Sequence, residues 1–129
     1  MAVAGMNHFT VLTDDLPATL AFYEEFLGLK PGARPPFAFP GAWLYAEGSS
    51  DAILHVIAGV NKKALVKGVI DHMAFTGTGL QETVSRLRGR DIPHDLRKLP
   101  SYGTWQLFFL DPNGAKVEID FDPAEPAPA

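Results

Sequence analysis

Hydrophobic and polar positions change period several times along this chain, and each change marks an element. Residues Met6–Leu12 (MNHFTVL) alternate as a half-buried strand does. Thr13-Asp14-Asp15 then supplies a helix start, with Pro17 in the first turn, where its missing N–H costs little. Leu16, Leu20, Tyr23 and Leu27 follow at helical spacing, and Gly28 can end that helix in a left-handed conformation. Pro31–Pro40 carries four prolines in ten residues and reads as an irregular loop with at most one short strand. Ala42–Glu47 and Ala52–Ala58 read as strands joined by a Gly-Ser-Ser-Asp turn. Residues 59–68 are polar and basic, a linker in which Lys62, Lys63 and Lys67 are solvated.

The second half repeats the order. Ile70–Thr76 is a strand, and Leu80, Val84 and Leu87 mark a helix closed by Gly89. Ile92–Leu99, Thr104–Leu110 and Ala115–Phe121 are strands, the last two joined by the turn Asp111-Pro-Asn-Gly114. The tail 122–129, with three prolines, is expected to be flexible. Sliding the chain by 64 lays His8 on His72, Leu16 on Leu80, Thr19 on Thr83 and Leu20 on Val84. The pattern predicts an α+β fold of two βαβββ modules, about 6–58 and 69–121, forming a curved mixed sheet in one domain over 6–121.

The repeat also aligns chemistry. His8 and His72 are 64 positions apart, and His55 and Glu118 are 63 apart. Four metal-ligand residue types thus occupy matching places in the two modules. Strand alternation puts His8 with Thr10, His72 with Ala74, and Glu118 with Lys116 and Asp120, each on the more polar side. His55 lies between Ile53 and Ile57, so its face is more apolar. His94 falls outside the symmetric set and reads as a surface residue.

The bulk numbers narrow the class. A chain of 129 residues suffices for one domain with a real core. A formal net charge of −4 and a pI near 5.4 argue against nucleic acid or an anionic membrane as partner. With no Cys there is no disulfide framework, thiolate site or cysteine nucleophile, which is compatible with the cytoplasm. No signal peptide is read at the start, and no apolar run approaches the roughly 20 residues a membrane helix needs.

Asn7-His8-Phe-Thr10, Asp15-Leu-Pro-Ala-Thr-Leu-Ala-Phe-Tyr23 with Leu27-Gly28, Asp71-His72-Met-Ala-Phe75 and Phe109-Leu-Asp-Pro-Asn-Gly-Ala-Lys-Val-Glu118 together resemble the vicinal oxygen chelate superfamily. That group holds glyoxalase I, bleomycin-resistance proteins, fosfomycin-resistance enzymes and extradiol dioxygenases. The resemblance covers about residues 6–121. It implies His8, His55, His72 and Glu118 as ligands of a divalent metal ion (Zn, Ni, Co, Mn or Fe), a small-molecule substrate that chelates through adjacent oxygens, and a homodimer. Glu118 and His55 become the candidate catalytic groups, and Thr10, Lys98, Tyr102, Trp105 and Phe108 the candidate substrate contacts.

Three readings follow, with the fosfomycin-modifying enzymes compared beside the two enzymatic ones. Glyoxalase I has a carboxylate where this chain has His55, but fits at the other positions, and implies proton transfer by Glu118. Extradiol dioxygenases match His8, His72 and Glu118 as ligands of Fe(II), with His55 near the place of their extra catalytic histidine; their tyrosine before the Asp-Pro turn is Phe108 here. Fosfomycin-modifying enzymes share the same triad with Thr10 and Lys98, but lose their substrate-contacting tyrosine to Phe108. A non-catalytic binding protein, with Trp43, Tyr45, Trp105 and Phe108 around an aromatic pocket, is the third class. Glyoxalase-like lyase or isomerase chemistry is slightly favoured.

Overall fold

The computed structural model describes residues 1–129. It divides into two compact units, Met1–Leu65 and Val66–Ala129. The division falls inside the stretch read as a linker, which also holds a short 3-10 turn at Lys62–Ala64.

In the first unit the order is β1 (Phe9–Leu12), α1 (Leu16–Leu27), β2 (Lys30–Pro31), β3 (Gly41–Tyr45) and β4 (Ala52–Ile57). The strands make one four-stranded sheet in the order β1-β4-β3-β2. β1 runs parallel to β4, and the other pairs are antiparallel. The second unit repeats this with β5 (Met73–Thr76), α2 (Leu80–Gly89), β6 (His94–Lys98), β7 (Trp105–Leu110) and β8 (Lys116–Phe121), in the order β5-β8-β7-β6. The parallel pair is again first strand to last, β5 to β8. The predicted curved mixed sheet is thus built as two four-stranded mixed sheets, one per βαβββ module.

Local chemistry starts and stops α1, whereas α2 ends one residue away from the expected stop and is capped at its start from a distance. The Asp15 side chain accepts from Ala18 N at 3.1 Å, and Gly28 ends α1 with φ 67°. The buried stripe of α1 is Thr19, Phe22, Tyr23 and Phe26, rather than the expected Leu16, Leu20 and Leu27. The helix is apolar nearly all round, so spacing alone does not choose a face. The rings of Phe22, Tyr23 and Phe26, in edge and tilted contacts at 5.1–5.2 Å, bury more area than the leucines. In α2 the expected Leu80, Val84 and Leu87 are buried, together with Thr83. Gly89 is the helix's last residue and has no left-handed φ; the left-handed turn comes at Asp91, φ 54°.

The tail 122–129, expected to be flexible, makes hydrogen bonds to α2 and β7. Gly79, at the start of α2, has no side chain to cap with. The Glu125 carboxylate accepts from Leu80 N at 2.7 Å and Gly79 N at 3.1 Å, and Glu125 O accepts from the Trp105 indole at 3.0 Å. Gln81 donates to Ala127 O, and Arg88 to Ala129 O. An uncapped helix start is a set of unsatisfied donors, and the tail carboxylate answers it.

Leu44, Leu54 and Val56 are buried in the first sheet, and Leu107, Phe109, Val117, Ile119 and Phe121 in the second. Asp111 holds the predicted turn, its Oδ1 accepting from Asn113 N and Ala115 N at 2.8 Å each, with Gly114 at φ 91°. No helix is long and apolar enough to cross a membrane.

Candidate functional site

His8 and His72 sit one residue ahead of β1 and β5 rather than within them, because the ladders begin at Phe9↔Leu54 and Met73↔Val117. Each therefore stands at the free end of a parallel strand pair, close to its module's last strand. Thr10 lies opposite His55, and Ala74 opposite Glu118. The spacings of 64 and 63 read in the sequence are the same register kept in both modules.

In the first module the His8 ring stacks on His55, with centroids 3.7 Å apart and planes 15° apart. The other face of the site is Trp43, opposite His55 in the β3–β4 ladder and stacked on it at 4.1 Å and 12°. His8 Nδ1 lies 2.7 Å from Asn7 Oδ1. Burial, with the neighbouring His8 charge, pushes the His55 pKa below its ordinary 6.5, which favours the neutral ring. A neutral imidazole can bind a metal or take a proton. Its lone pair lies in the ring plane, however, so two rings stacked face to face do not aim at one point. For both to bind one ion, this stack would have to open.

In the second module the pair is already convergent. His72 Nε2 is 3.0 Å from Glu118 Oε1, and His72 Nδ1 is 2.7 Å from Asp71 Oδ2. Glu118 is only 5% exposed, and its other oxygen accepts from Gln106 Nε2 at 3.4 Å. Both nitrogens of His72 thus face carboxylate oxygens. Only a ring carrying both protons can donate to both, and a cation beside Glu118 could replace the proton on Nε2. Asp71 is held below its usual range, first by the His72 hydrogen bond and then by Lys116, whose Nζ is 3.5 Å away. Phe108, opposite Glu118 in the β7–β8 ladder, meets His72 edge-on at 5.7 Å.

Two residues along β8 from Glu118, Asp120 carries a buried Oδ1 with no partner. Burial, and then the hydrogen bond and charge of Glu118, push its pKa up to about 6. Two carboxyl groups this close favour holding one proton between them.

The remaining predicted contacts are spread more widely. Thr10 lines a recess of about 110 Å³ in the first module, with Arg34, Phe37, Phe39, Trp43 and His55. Lys98 Nζ lies 4.7 Å over the Trp105 ring, whose indole is bonded to the tail. Tyr102 is 78% exposed, in the turn between β6 and β7. His94, read as a surface residue, bonds Ile92 O through Nδ1 at 2.9 Å. Sequence reasoning gave no role to Asn7, Asp71, Asp120 or Arg34. The first three had a signal, being one residue before a repeated histidine or one alternation along from Glu118. Arg34 had none, since a proline-rich loop has no period to read.

The donor set fits a divalent metal of the imidazole- and carboxylate-binding kind: three imidazoles, a buried glutamate, and no thiolate. No group of three or more His, Cys, Asp or Glu converges on one point; the four donors come as one pair in each module.

Residues 5–119 match the sequence profile of the Glyoxalase/Bleomycin resistance protein/Dioxygenase superfamily. The chain is 29% identical over 125 residues to Glyoxylase I 4 of Arabidopsis thaliana, an alignment that covers 91% of this chain and 70% of that protein. Among solved structures it is similar to the fosfomycin resistance protein FosX of Listeria monocytogenes, crystallised with Mn(II) and 1S,2S-dihydroxypropylphosphonic acid. There the TM-score is 0.73 at 16% identity, over 94% of each chain. It is also similar to TnmS3, an antibiotic binding protein from Streptomyces sp. CB03234, with a TM-score of 0.68 at 19% identity, over 95% of this chain and 98% of that one.

Proposed function

The chain belongs to the Glyoxalase/Bleomycin resistance protein/Dioxygenase superfamily, and from that premise we propose that it is a divalent-metal-dependent enzyme acting on a small molecule with two adjacent oxygens, by glyoxalase-like lyase or isomerase chemistry. The observation that carries this reading is the His72–Glu118 pair: an imidazole nitrogen and a buried carboxylate oxygen 3.0 Å apart, the ring buttressed from behind by Asp71. His8 and His55 are the remaining donors, from one chain or from two in a homodimer.

When bound, the ion would act as a Lewis acid on the substrate's oxygens. Everything else falls to the chain's own residues. Glu118 is the group to take a proton from substrate carbon and return it, because it is buried, lies 3.0 Å from His72 Nε2 and keeps its second oxygen on Gln106. Asp120 beside it can hold a proton close to neutral pH. Asp71 fixes the His72 ring. Phe108, itself buried, packs edge-on against the His72 ring.

The test is metal content and turnover together. Protein purified without oxygen should carry a stoichiometric divalent ion by mass spectrometry. His72→Ala and His8→Ala should lose it, while Glu118→Gln should lose turnover of an α-oxoaldehyde–thiol adduct by at least 100-fold. A wild-type protein that never takes up metal overturns the reading. Oxygen uptake on catechols that is abolished in His55→Ala, with iron retained, replaces it by the dioxygenase. The aromatic recess beside His55 supports a second reading, non-catalytic capture of a flat molecule. That reading predicts ligand binding with no turnover under any metal.

A further inference from the structure

The first module contains a cation with no counter-charge. Arg34 lies in the loop between β2 and β3, and its Nη2 donates to Phe39 O at 2.9 Å. It forms no ion pair, and its Nε is buried with no partner. A guanidinium has five N–H donors, and only one of them is bonded here. Arg34 is also the only Lys or Arg among the residues lining the recess beside His55.

Its surroundings are flat and apolar. The guanidinium carbon sits 4.9 Å from the Phe37 centroid and 5.2 Å from that of Phe39. Those two rings stack at 5.0 Å, yet each is 42% exposed. Trp43 continues the wall from Phe37 to His55. The loop is also held in place. Tyr45 OH donates to Ala33 O at 2.5 Å, and Pro35 and Pro36 restrict the backbone. A Cβ on Gly41 would lie 2.2 Å from Val56 O and 3.1 Å from Arg34 Nη2, so the guanidinium closes onto a position with no room for a side chain.

We propose that this recess binds the oxyanion end of a flat substrate, a carboxylate or a phosphonate, on Arg34, with the body of the molecule against Phe37, Phe39 and Trp43. It deepens the reading above, on which it rests for the presence of a small-molecule substrate. The planar guanidinium matches either oxyanion with paired hydrogen bonds. A neutral amide offers one carbonyl oxygen and no charge, so it satisfies fewer of those donors than an oxyanion does, and that difference makes the site selective. The volume limits size as well. An engineered cavity of about 150 Å³ takes up benzene, so a recess of about 110 Å³ holds no more than one ring, the rest projecting outward.

Three probes of one shape decide it on the full, metal-free chain: benzoate, phenylphosphonate and the uncharged benzamide. Binding is followed by the NMR shift of the Trp43 indole N–H. At least one anion should bind ten-fold or more tighter than benzamide, and the tighter of the two names the oxyanion. Arg34→Gln should reduce that anion to the level of benzamide, while changing benzamide itself far less, which shows the recess intact. Arg34→Lys should fall between, since it keeps the charge but not the fork. The proposal is overturned if wild type holds benzamide as tightly as the tighter anion, or if Arg34→Gln keeps the preference. Because no metal is present, failure of the metal-dependent reading leaves this result untouched.

Discussion

His72 Nε2 lies 3.0 Å from Glu118 Oε1, and Glu118 is nearly enclosed at that point. A buried carboxylate that loses its partner keeps its desolvation penalty, so the two residues must be coupled in stability as well as in chemistry. In metal-free protein, His72→Ala should cost about 1–3 kcal/mol. Glu118→Gln, which removes the charge but keeps the shape, should cost less. The double variant should then cost clearly less than the sum of the two. Urea unfolding midpoints measure all three, and simple additivity would refute the coupling.

Asp120 gives the metal-free protein a pH dependence of definite sign. Its pKa rises from 3.8 to about 6 on folding, chiefly through burial and then through Glu118. A raised carboxyl pKa means that the folded state binds the proton more tightly. This group therefore favours folding at low pH and loses that contribution as pH climbs from about 4 to about 6. Asp120→Asn should be more stable than wild type at pH 7, with the difference shrinking toward pH 4. Paired urea titrations at several pH values separate this from the opposite tendencies of Asp71 and His55, which both variants share.

The sequence carried the architecture because the two modules repeat it. Strand alternation and the 64-residue offset placed β1, β4, β5 and β8, and gave His8, His55, His72 and Glu118 matching places in the two modules. What they could not carry was orientation. Nothing in the spacing says that His8 and His55 stack face to face while His72 and Glu118 meet edge to oxygen. That difference comes from Trp43, which offers His55 a flat wall, since His8 and His72 are both bonded through Nδ1 to the preceding residue. The Arg34 loop was unreadable for another reason: prolines set φ at Pro35 and Pro36 without any periodic burial to reveal which side chains turn inward.

The His55 ring is held neutral, first by burial and second by the charge of His8. A group whose folded pKa is lowered loses stability as pH falls through its ordinary value near 6.5. The order of causes gives an order of effects. Trp43→Ala, which uncovers one ring face, should raise the His55 pKa more than His8→Phe, which keeps the other face covered and removes only the lesser cause. An NMR titration of the imidazole C–H signals reads both. A larger rise in His8→Phe would mean that charge, not burial, sets the protonation of this ring.

Glu125 is the last test, because it asks whether residues 122–129 belong to the fold. Its carboxylate accepts from Leu80 N at 2.7 Å and Gly79 N at 3.1 Å, in place of the N-cap side chain that glycine cannot supply. Negative charge at a helix start also meets the positive end of the helix dipole. Glu125→Ala should therefore destabilise the protein by about 1 kcal/mol, as loss of an ordinary N-cap does. Glu125→Gln retains an acceptor without the charge and should lose only part of that. A Gly79→Asp replacement places a carboxylate at the N-cap itself, but φ 86° there penalises any side chain, so it should not rescue Glu125→Ala. Hydrogen exchange at the Gly79 and Leu80 amides should speed up in Glu125→Ala. Unchanged exchange and unchanged urea midpoints together would show that these bonds contribute nothing in solution, and that the tail is as loose as its prolines suggest.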